Sequence, residues 1–586
     1  MSNYVEGANQ ILNQIVALYS NIAFIMGELK TIDLPDVYLL LIRYVFPILA
    51  VTIFVRCVLP LLRSEPYNTG WGYLEVPDSI KIPLHHWENS IGRSKLSDIV
   101  INLPFVSRTH AVLSFSAGNW SIFDLGSRGG VLVNGEKITK SKVVQERDLI
   151  SLAGAEFCLL PPEEEYEQQQ RRPAWFSPFG RHFSSGKTLL MILFFQFLGG
   201  VQVYFSMDPA ASPRLLGVFL ILIFFESLYF LFMTHYTRKY IEIELLAFFL
   251  CGINLLVVAS AVPDQLTKQL MAIICGVIVF IALGLLVNDL GRARKLKYVL
   301  VVGALILLVL NLTIGEVRFG AKNWINLGFL SFQPMELIKI AFVLAGTATL
   351  DKLLTTRNIT AFIGFAGACI GALILMRDLG TAVVFFGAFL VIAFMRSGDL
   401  RTIAYACSGA ALGAIAVVSF LPYVASRFQA WGHVWDYANT IGYQQTRTMI
   451  AAASGGVLGV GGGNGFLVNI PAAANDLVFG LVCEEWGLIV ALVTVLIVVF
   501  FAILAVSWMR ECKSPFYAIA ACGAATMFLI QVALNVFGSV DLLPLTGINL
   551  PFVSNGGTSM VASWALLAFI KAADDRSRLD REGVDD

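Results

Sequence analysis

The fold class this sequence predicts is a polytopic α-helical membrane protein with an all-β insert, with about thirteen spans. Three observations predict it. The 586 residues are 57% hydrophobic and 14% charged, with a mean hydropathy of +0.73, a profile foreign to large soluble enzymes. From Lys187 to about Ala573, apolar runs follow one another at roughly the 20-residue length a bilayer requires. Between residues 70 and 162 that pattern gives way to short alternating stretches punctuated by Gly, Asn and Ser. The formal net charge is zero, so bulk charge offers no case for a nucleic-acid partner. The nine cysteines show no CxxC or Cys/His spacing and read as small buried apolar residues.

Each element follows in order. Residues 1–36 form a mildly amphipathic tail without the pattern of a cleavable signal, and a first span covers 37–62. The segments Tyr73–Val76, Asp98–Ile101, Ala111–Phe115, Trp120–Phe123 and Val131–Val133 have the period of two that marks strands, so 70–162 reads as a β-sandwich. A polar linker covers 163–186, with Glu163-Glu164-Glu165 and Arg171-Arg172. Within 187–573 the spans fall near 187–206, 214–234, 240–262, 269–288, 298–315, 334–351, 359–375, 380–396, 402–421, 482–509, 516–540 and 557–573. Residues 574–586 form a polar tail. Lys and Arg cluster in every second gap, at Arg238/Lys239, Arg292–Lys297, Lys352/Arg357, Arg396/Arg401 and Arg510/Lys513. The positive-inside rule then puts the β domain and the C-terminus in the cytoplasm. The outer face receives 316–333, the Arg377-Asp378 turn, 422–481 and 541–556. Polar and glycine-rich motifs gather in those outer segments, so the chemistry is expected there.

In the β insert the chain reads Gly92-Arg93, Ser107-Arg108-Thr109-His110, Ser127-Arg128-Gly129-Gly130 and Asn134-Gly135. This resembles a forkhead-associated (FHA) domain, a β-sandwich that binds phosphothreonine peptides. The resemblance implies that Arg93, Ser107 and Arg108 hold the phosphate, through charge-assisted hydrogen bonds from guanidinium and hydroxyl groups. It also implies that His110 braces the loop. The family usually has Asn at Gly129, where it grips the peptide backbone, and Arg128 is the candidate to replace it.

The membrane part carries Gly320-Ala321-Lys322-Asn323-Trp324, Gln333-Pro334-Met335-Glu336-Leu337-Ile338-Lys339 and Asp378-Leu379-Gly380-Thr381. Further on come Gly442-Tyr443-Gln444, Ser454-Gly455-Gly456, Asn475-Asp476, Glu484-Glu485-Trp486-Gly487, Leu543–Gly547 and Leu550–Ser559. Together these resemble the SEDS family (shape, elongation, division, sporulation) of FtsW, RodA and SpoVE, most strongly over 298–573, with two extra spans at 187–234. The resemblance implies a peptidoglycan glycosyltransferase that polymerises lipid II at the outer face of the cytoplasmic membrane. A sugar hydroxyl attacks an anomeric carbon and undecaprenyl diphosphate leaves, with inversion. Asp378 matches the family's catalytic Asp and is the expected general base. On residue chemistry alone Asp378 is also a good helix N-cap, and the two roles are compatible.

Glu336 and Lys339 share a helix face and are expected to pair and shape the cavity. Lys322, Arg377 and Arg447 are candidate partners for the diphosphate, with Mg or Mn as a possible helper. Asp476 and Glu484 match family positions in which capping and substrate contact are both open. The departures are Asn323 for a common Arg, Met335 for Ser, Ala474-Asn475 for His-Thr, Arg447-Thr448 for Gln and Ser, and Asn555 for Tyr. The glycines at 455–456 and 461–463 lack the Gly-Lys-Ser/Thr ending of a nucleotide loop and are expected to form a mobile re-entrant segment. The implied partners are lipid II with the nascent strand, a class B penicillin-binding protein, and a phosphothreonine protein from Ser/Thr kinase signalling. A lipid-linked glycan flippase and a non-catalytic scaffold are the rival readings.

Overall fold

The computed structural model describes residues 34–63, 72–161 and 185–574, apart from short breaks within the last two stretches. The expected tail before residue 34, the linker at 163–184 and the end after 574 lie outside the described residues.

The first described element is helix α1 (Leu34–Arg63), and a two-sheet sandwich of eleven strands follows it. Six of them are β1 (Tyr73–Glu75), β2 (Lys81–Pro83), β7 (Val131–Val133), β8 (Glu136–Lys137), β10 (Leu149–Leu152) and β11 (Ala155–Leu160), in the order β2-β1-β11-β10-β7-β8. The second sheet is β4-β3-β5-β6-β9, made of β3 (Glu88–Gly92), β4 (Ile99–Val100), β5 (Ala111–Ser116), β6 (Asn119–Asp124) and β9 (Ser141–Val144). Apart from the parallel β3–β4 pair, the ladders are antiparallel. The period of two does the sorting: Leu113, Ile122, Val131, Val133, Ile150 and Leu152 turn inward and are fully buried in a core of their own.

After the sandwich come α2 (Ser185–Ser206), α3 (Ser212–Tyr236), α4 (Glu242–Ala261), α5 (Leu266–Val287) and α6 (Leu290–Ile314). Then follow α7 (Pro334–Gly346), α8 (Thr356–Leu375), α9 (Leu379–Ser397), α10 (Leu400–Phe420), α11 (Pro422–Ala430) and α12 (Tyr443–Gly455). The last three are α13 (Val478–Met509), α14 (Pro515–Ser539) and α15 (Gly557–Ala572). Among the described residues ten helices are long and apolar enough to cross a bilayer, and Thr360–Leu375 and Gly557–Ala572 are shorter apolar helices. α7 has 13 residues. Every predicted span thus coincides with a helix. α4 is apolar all round because neighbours enclose it: Trp564 of α15 meets Phe248, Phe280 and Phe552 at ring centroids of 5.1–5.6 Å.

Three features differ from the sequence expectation. Helix α6 starts at Leu290 rather than 298, because its basic first turns continue the helix. The outer segment 316–333 is not a plain loop: β12 (Glu316–Arg318), β13 (Ala321–Asn326) and β14 (Ser331–Phe332) form a three-stranded antiparallel sheet. Of the glycines of 455–463, Gly455, Gly459 and Gly462 serve close packing. A Cβ at Gly455 or Gly459 would strike the α13 backbone, and one at Gly462 would meet Trp486. They lie against a break in α13 at Gly487, whose φ of 86° and ψ of 164° suit glycine alone.

Candidate functional site

The turn between α8 and α9 sets the first carboxylate. Arg377 takes a left-handed conformation (φ 61°). Its N–H bonds to Ile374 O at 3.1 Å while the Asp378 N–H bonds to Leu373 O at 2.9 Å, the two bonds of a Schellman motif. Asp378 ends one helix and begins the next. Its Oδ1 accepts the Thr381 N–H at 3.1 Å, which makes it the N-cap of α9. Its Oδ2 accepts Asn323 Nδ2 at 2.8 Å. Strand β13 is tied to the same turn by Lys322 N–H on Met376 O at 2.9 Å.

The second carboxylate is Asp476, at the entrance to α13. Its backbone is held from three sides. Asn535 Nδ2 on α14 donates to Asp476 O (3.0 Å) and Ile548 O (2.7 Å), joining this segment to the 544–548 stretch. Ser554 Oγ donates to Asn475 O at 2.6 Å, and the Asn555 N–H to Ala474 O at 2.8 Å. Gly380 permits the close approach, since a Cβ there would lie 2.7 Å from Ile548 and 2.9 Å from Thr546. Gly547 (φ 71°) sits over the acid itself: a Cβ there would be 3.3 Å from Asp476 Oδ2. Burial holds the Asp476 carboxyl up at about 6. The neighbouring charge of Asp378 pushes the same way and Arg427 on α11 opposes it. The two aspartates, about 100 positions apart in the chain, therefore feel each other's charge.

The other predicted residues divide. Glu336 and Lys339 form a buried ion pair at 2.8 Å on the first turns of α7, which packs on α9 through Phe342 and Phe385. Lys322 turns its ammonium to the Leu312 and Thr313 carbonyls (2.7 and 3.4 Å), closing the C-terminal end of α6 rather than facing the carboxylates. Arg447 lies over the Tyr443 ring at 5.2 Å, one turn along α12. Arg377 is exposed at the turn. Glu484 accepts the Phe466 and Leu467 N–H groups at 2.9 and 3.0 Å, a capping role. Arg427, Asn323 as a partner of Asp378, and Asn535 escaped the sequence reading. A lone Arg in a polar stretch carries no local signal, and an Asn that bridges carbonyls looks like any other.

In the sandwich, Arg93, Ser107, Arg108 and Arg128 gather at one end. The Arg93 N–H bonds to Ser107 O (2.9 Å), Ser94 N–H to Arg108 O (3.0 Å), and Arg128 N–H to Ser107 Oγ (3.1 Å). His110 is buried beneath them, accepting Ser107 N–H on Nδ1 (3.1 Å) and donating from Nε2 to Gly130 O (3.1 Å). Both bonds together require the neutral ring protonated on Nε2. At Gly129 any side chain would run into Ala153 of the β10–β11 turn, so the missing Asn and this turn are coupled features.

Fold and site define a polytopic helical membrane protein that joins a β-sandwich to a pair of interacting carboxylates where loops meet helix ends. The chain belongs to the FtsW/RodA/SpoVE family of cell cycle proteins, whose model matches residues 263–579, and it carries an FHA domain, matched over 89–153. It is 33% identical over 359 residues to the probable peptidoglycan glycosyltransferase FtsW of Tolumonas auensis, covering 58% of this chain and 93% of that one. It is 26% identical over 322 residues to the peptidoglycan glycosyltransferase RodA of Mycobacterium leprae, covering 52% and 68%. It is also similar to the solved rod shape determining protein RodA of Thermus thermophilus, at 25% identity and a TM-score of 0.43, covering 58% and 99%.

Proposed function

We infer that the chain is a peptidoglycan glycosyltransferase that polymerises lipid II, with its chemistry at the Asp378–Asp476 pair on the outer face of the cytoplasmic membrane. The enzyme class rests on the family and on relatives that carry that name. One observation carries the assignment of the site: two carboxylates from distant segments share one locus, and one of them has a proton affinity close to neutrality.

The sequence reading gives the base role to Asp378, and the geometry favours a division of labour. Both Asp378 oxygens already accept hydrogen bonds, one from the helix it caps and one from Asn323. Burial raises the proton affinity of Asp476 to about 6, which suits it to accept a sugar hydroxyl proton. In the proposed step the hydroxyl of one lipid II gives its proton to Asp476. Its oxygen bonds to the anomeric carbon of the growing strand, and the carbon–oxygen bond to the diphosphate breaks, the electron pair leaving with the diphosphate. For holding that leaving group Arg427 joins the sequence-derived set of Lys322, Arg377 and Arg447, of which Lys322 is turned to the end of α6. A divalent cation arriving with the diphosphate would supply charge neutralisation there. Among the described residues no group of three or more His, Cys, Asp or Glu gathers there.

The FHA domain would recruit a phosphothreonine protein on the cytoplasmic side through Arg93, Ser107, Arg108 and Arg128, and a class B penicillin-binding protein would crosslink the strands. The test is polymerisation of lipid II by purified protein, with and without its transpeptidase. Asp476→Asn and Asp378→Asn are each expected to lower strand formation by roughly a hundredfold or more. Undiminished polymer from both variants would overturn the site. Lipid II translocation without polymer by the wild type would favour a flippase instead.

A further inference from the structure

Lys322 and Asn323 stand next to each other before Trp324, and the geometry sends them to different tasks. The lysine, the residue with a charge to offer, caps the end of α6 through Leu312 and Thr313. The neutral amide is the group that reaches the carboxylate, with Asn323 Nδ2 at 2.8 Å from Asp378 Oδ2. Its orientation is fixed, because the opposite flip would set an amide oxygen against a carboxylate oxygen. The remaining end, Asn323 Oδ1, is buried with no hydrogen-bond partner. A buried carbonyl left unpaired is unfavourable, so the position is held for what its donor does.

We propose that Asn323 is a positioning residue of the two-carboxylate site: it fixes the Asp378 side chain with an uncharged donor, so that Asp378 keeps its full negative charge beside Asp476. The inference rests on the reading of that pair as the reaction site. A cation at 323 would hold Asp378 equally well but would offset its charge. The charged groups acting on Asp476 are Asp378, which favours its protonated form, and Arg427, which opposes it. Neutralising Asp378 would therefore tilt that balance toward Arg427 and make Asp476 a weaker base.

Three variants assayed for lipid II polymerisation across pH test this. Asn323→Asp keeps the size, removes the donor and adds a like charge. It is expected to lower kcat by roughly tenfold to a hundredfold with little change in KM, and to move the acid limb of the pH profile upward. Asn323→Arg keeps a donor and adds a positive charge. It is expected to retain more activity than Asn323→Asp and to move the acid limb downward. Asn323→Ala is expected to lose kcat without displacing the limb. Wild-type kcat and pH profile in Asn323→Asp would overturn the proposal. So would equal losses in all three variants with an unmoved limb, the mark of a merely structural role. If Asp476→Asn and Asp378→Asn also polymerise normally, the site itself is misassigned. If they are inactive while Asn323→Asp is normal, only the role of Asn323 fails.

Discussion

Asp476 shows how a residue's environment makes its chemistry. An aspartate in water is ionised from about pH 4 upward. Here burial and Asp378 disfavour the charged form and hold the carboxyl up at about 6. A general base must be unprotonated, so polymerisation is expected to rise with pH through about 6 and level off above it. Asp378→Asn removes a group that raises this value, so the residual activity should show its acid limb at lower pH. Arg427→Gln removes a group that lowers it, and the limb should move to higher pH. Polymerisation rates from pH 5 to 8 check both signs. In the sandwich, Gly129→Asn alone is expected to destabilise the domain, because the new side chain meets Ala153. Since Ala153 is itself left-handed (φ 52°), adding Ala153→Gly both relieves strain and opens space. The double variant should melt above the single one and bind a phosphothreonine peptide at least as well as wild type.

At the scale of elements, the turn at Met376–Asp378 joins two helices through one residue with an unfavourable conformation. A non-glycine residue in the left-handed region costs about 1 kcal/mol. Arg377→Gly should therefore relieve about that much backbone strain, set against the contacts its side chain gives up, and melting in detergent reads the balance. The break at Gly487 has the opposite expectation. Its φ and ψ are open to glycine alone, and a Cβ would strike Val457 O, so Gly487→Ala should destabilise by roughly 1–3 kcal/mol or more. The Glu336–Lys339 pair gives a third test. Breaking a buried pair from one side costs about 3–5 kcal/mol, whereas replacing both partners with apolar residues of like volume can be neutral. Lys339→Met should destabilise strongly and the double variant Glu336→Leu/Lys339→Met should recover much of it, as read by melting in detergent.

At the scale of the molecule the described residues form two hydrophobic cores, one in the sandwich and one running through the helices. Residues 72–161, with their own core, are expected to fold and melt cooperatively when expressed alone. In the full chain this domain is inserted between α1 and α2; α1 meets the break in α13 and α2 meets the glycine segment packed against it. Phe46 of α1 stacks on Trp486 with ring centroids 4.9 Å apart. On α2, Val203 would touch a Cβ at Gly462 and Gln202 one at Gly461. Phe46→Ala should lower the melting temperature of the membrane part through loss of a contact worth roughly 0.5–1.5 kcal/mol beyond its area, and leave the melting of the sandwich within the full chain unchanged.

Much of this was legible along the chain. Hydropathy located the apolar helices of the membrane part, though not α11 and α12 in the polar outer segment, because a bilayer imposes one length and one composition on whatever crosses it. Alternation located the sandwich, and Arg93, Ser107, Arg108 and Arg128 lie in short motifs that the fold gathers at one end of it. The carboxylates Asp378 and Asp476 and the pair Glu336–Lys339 were also visible as polar residues at the ends of apolar runs. What a linear reading could not supply was how these groups divide their work. That Lys322 faces a helix end while Asn323 takes Asp378, that Asp476 is raised by a residue from another segment, and that Arg427 opposes it, all depend on distances between groups far apart in sequence. The same holds for Gly455, Gly459 and Gly462, which read as mobile but pack against the break in α13. Local patterns dictate which segments are buried, since burial is set by composition. The proton affinity of a buried acid is set by the charges and the solvent around it, and these are fixed only when the chain has closed on itself.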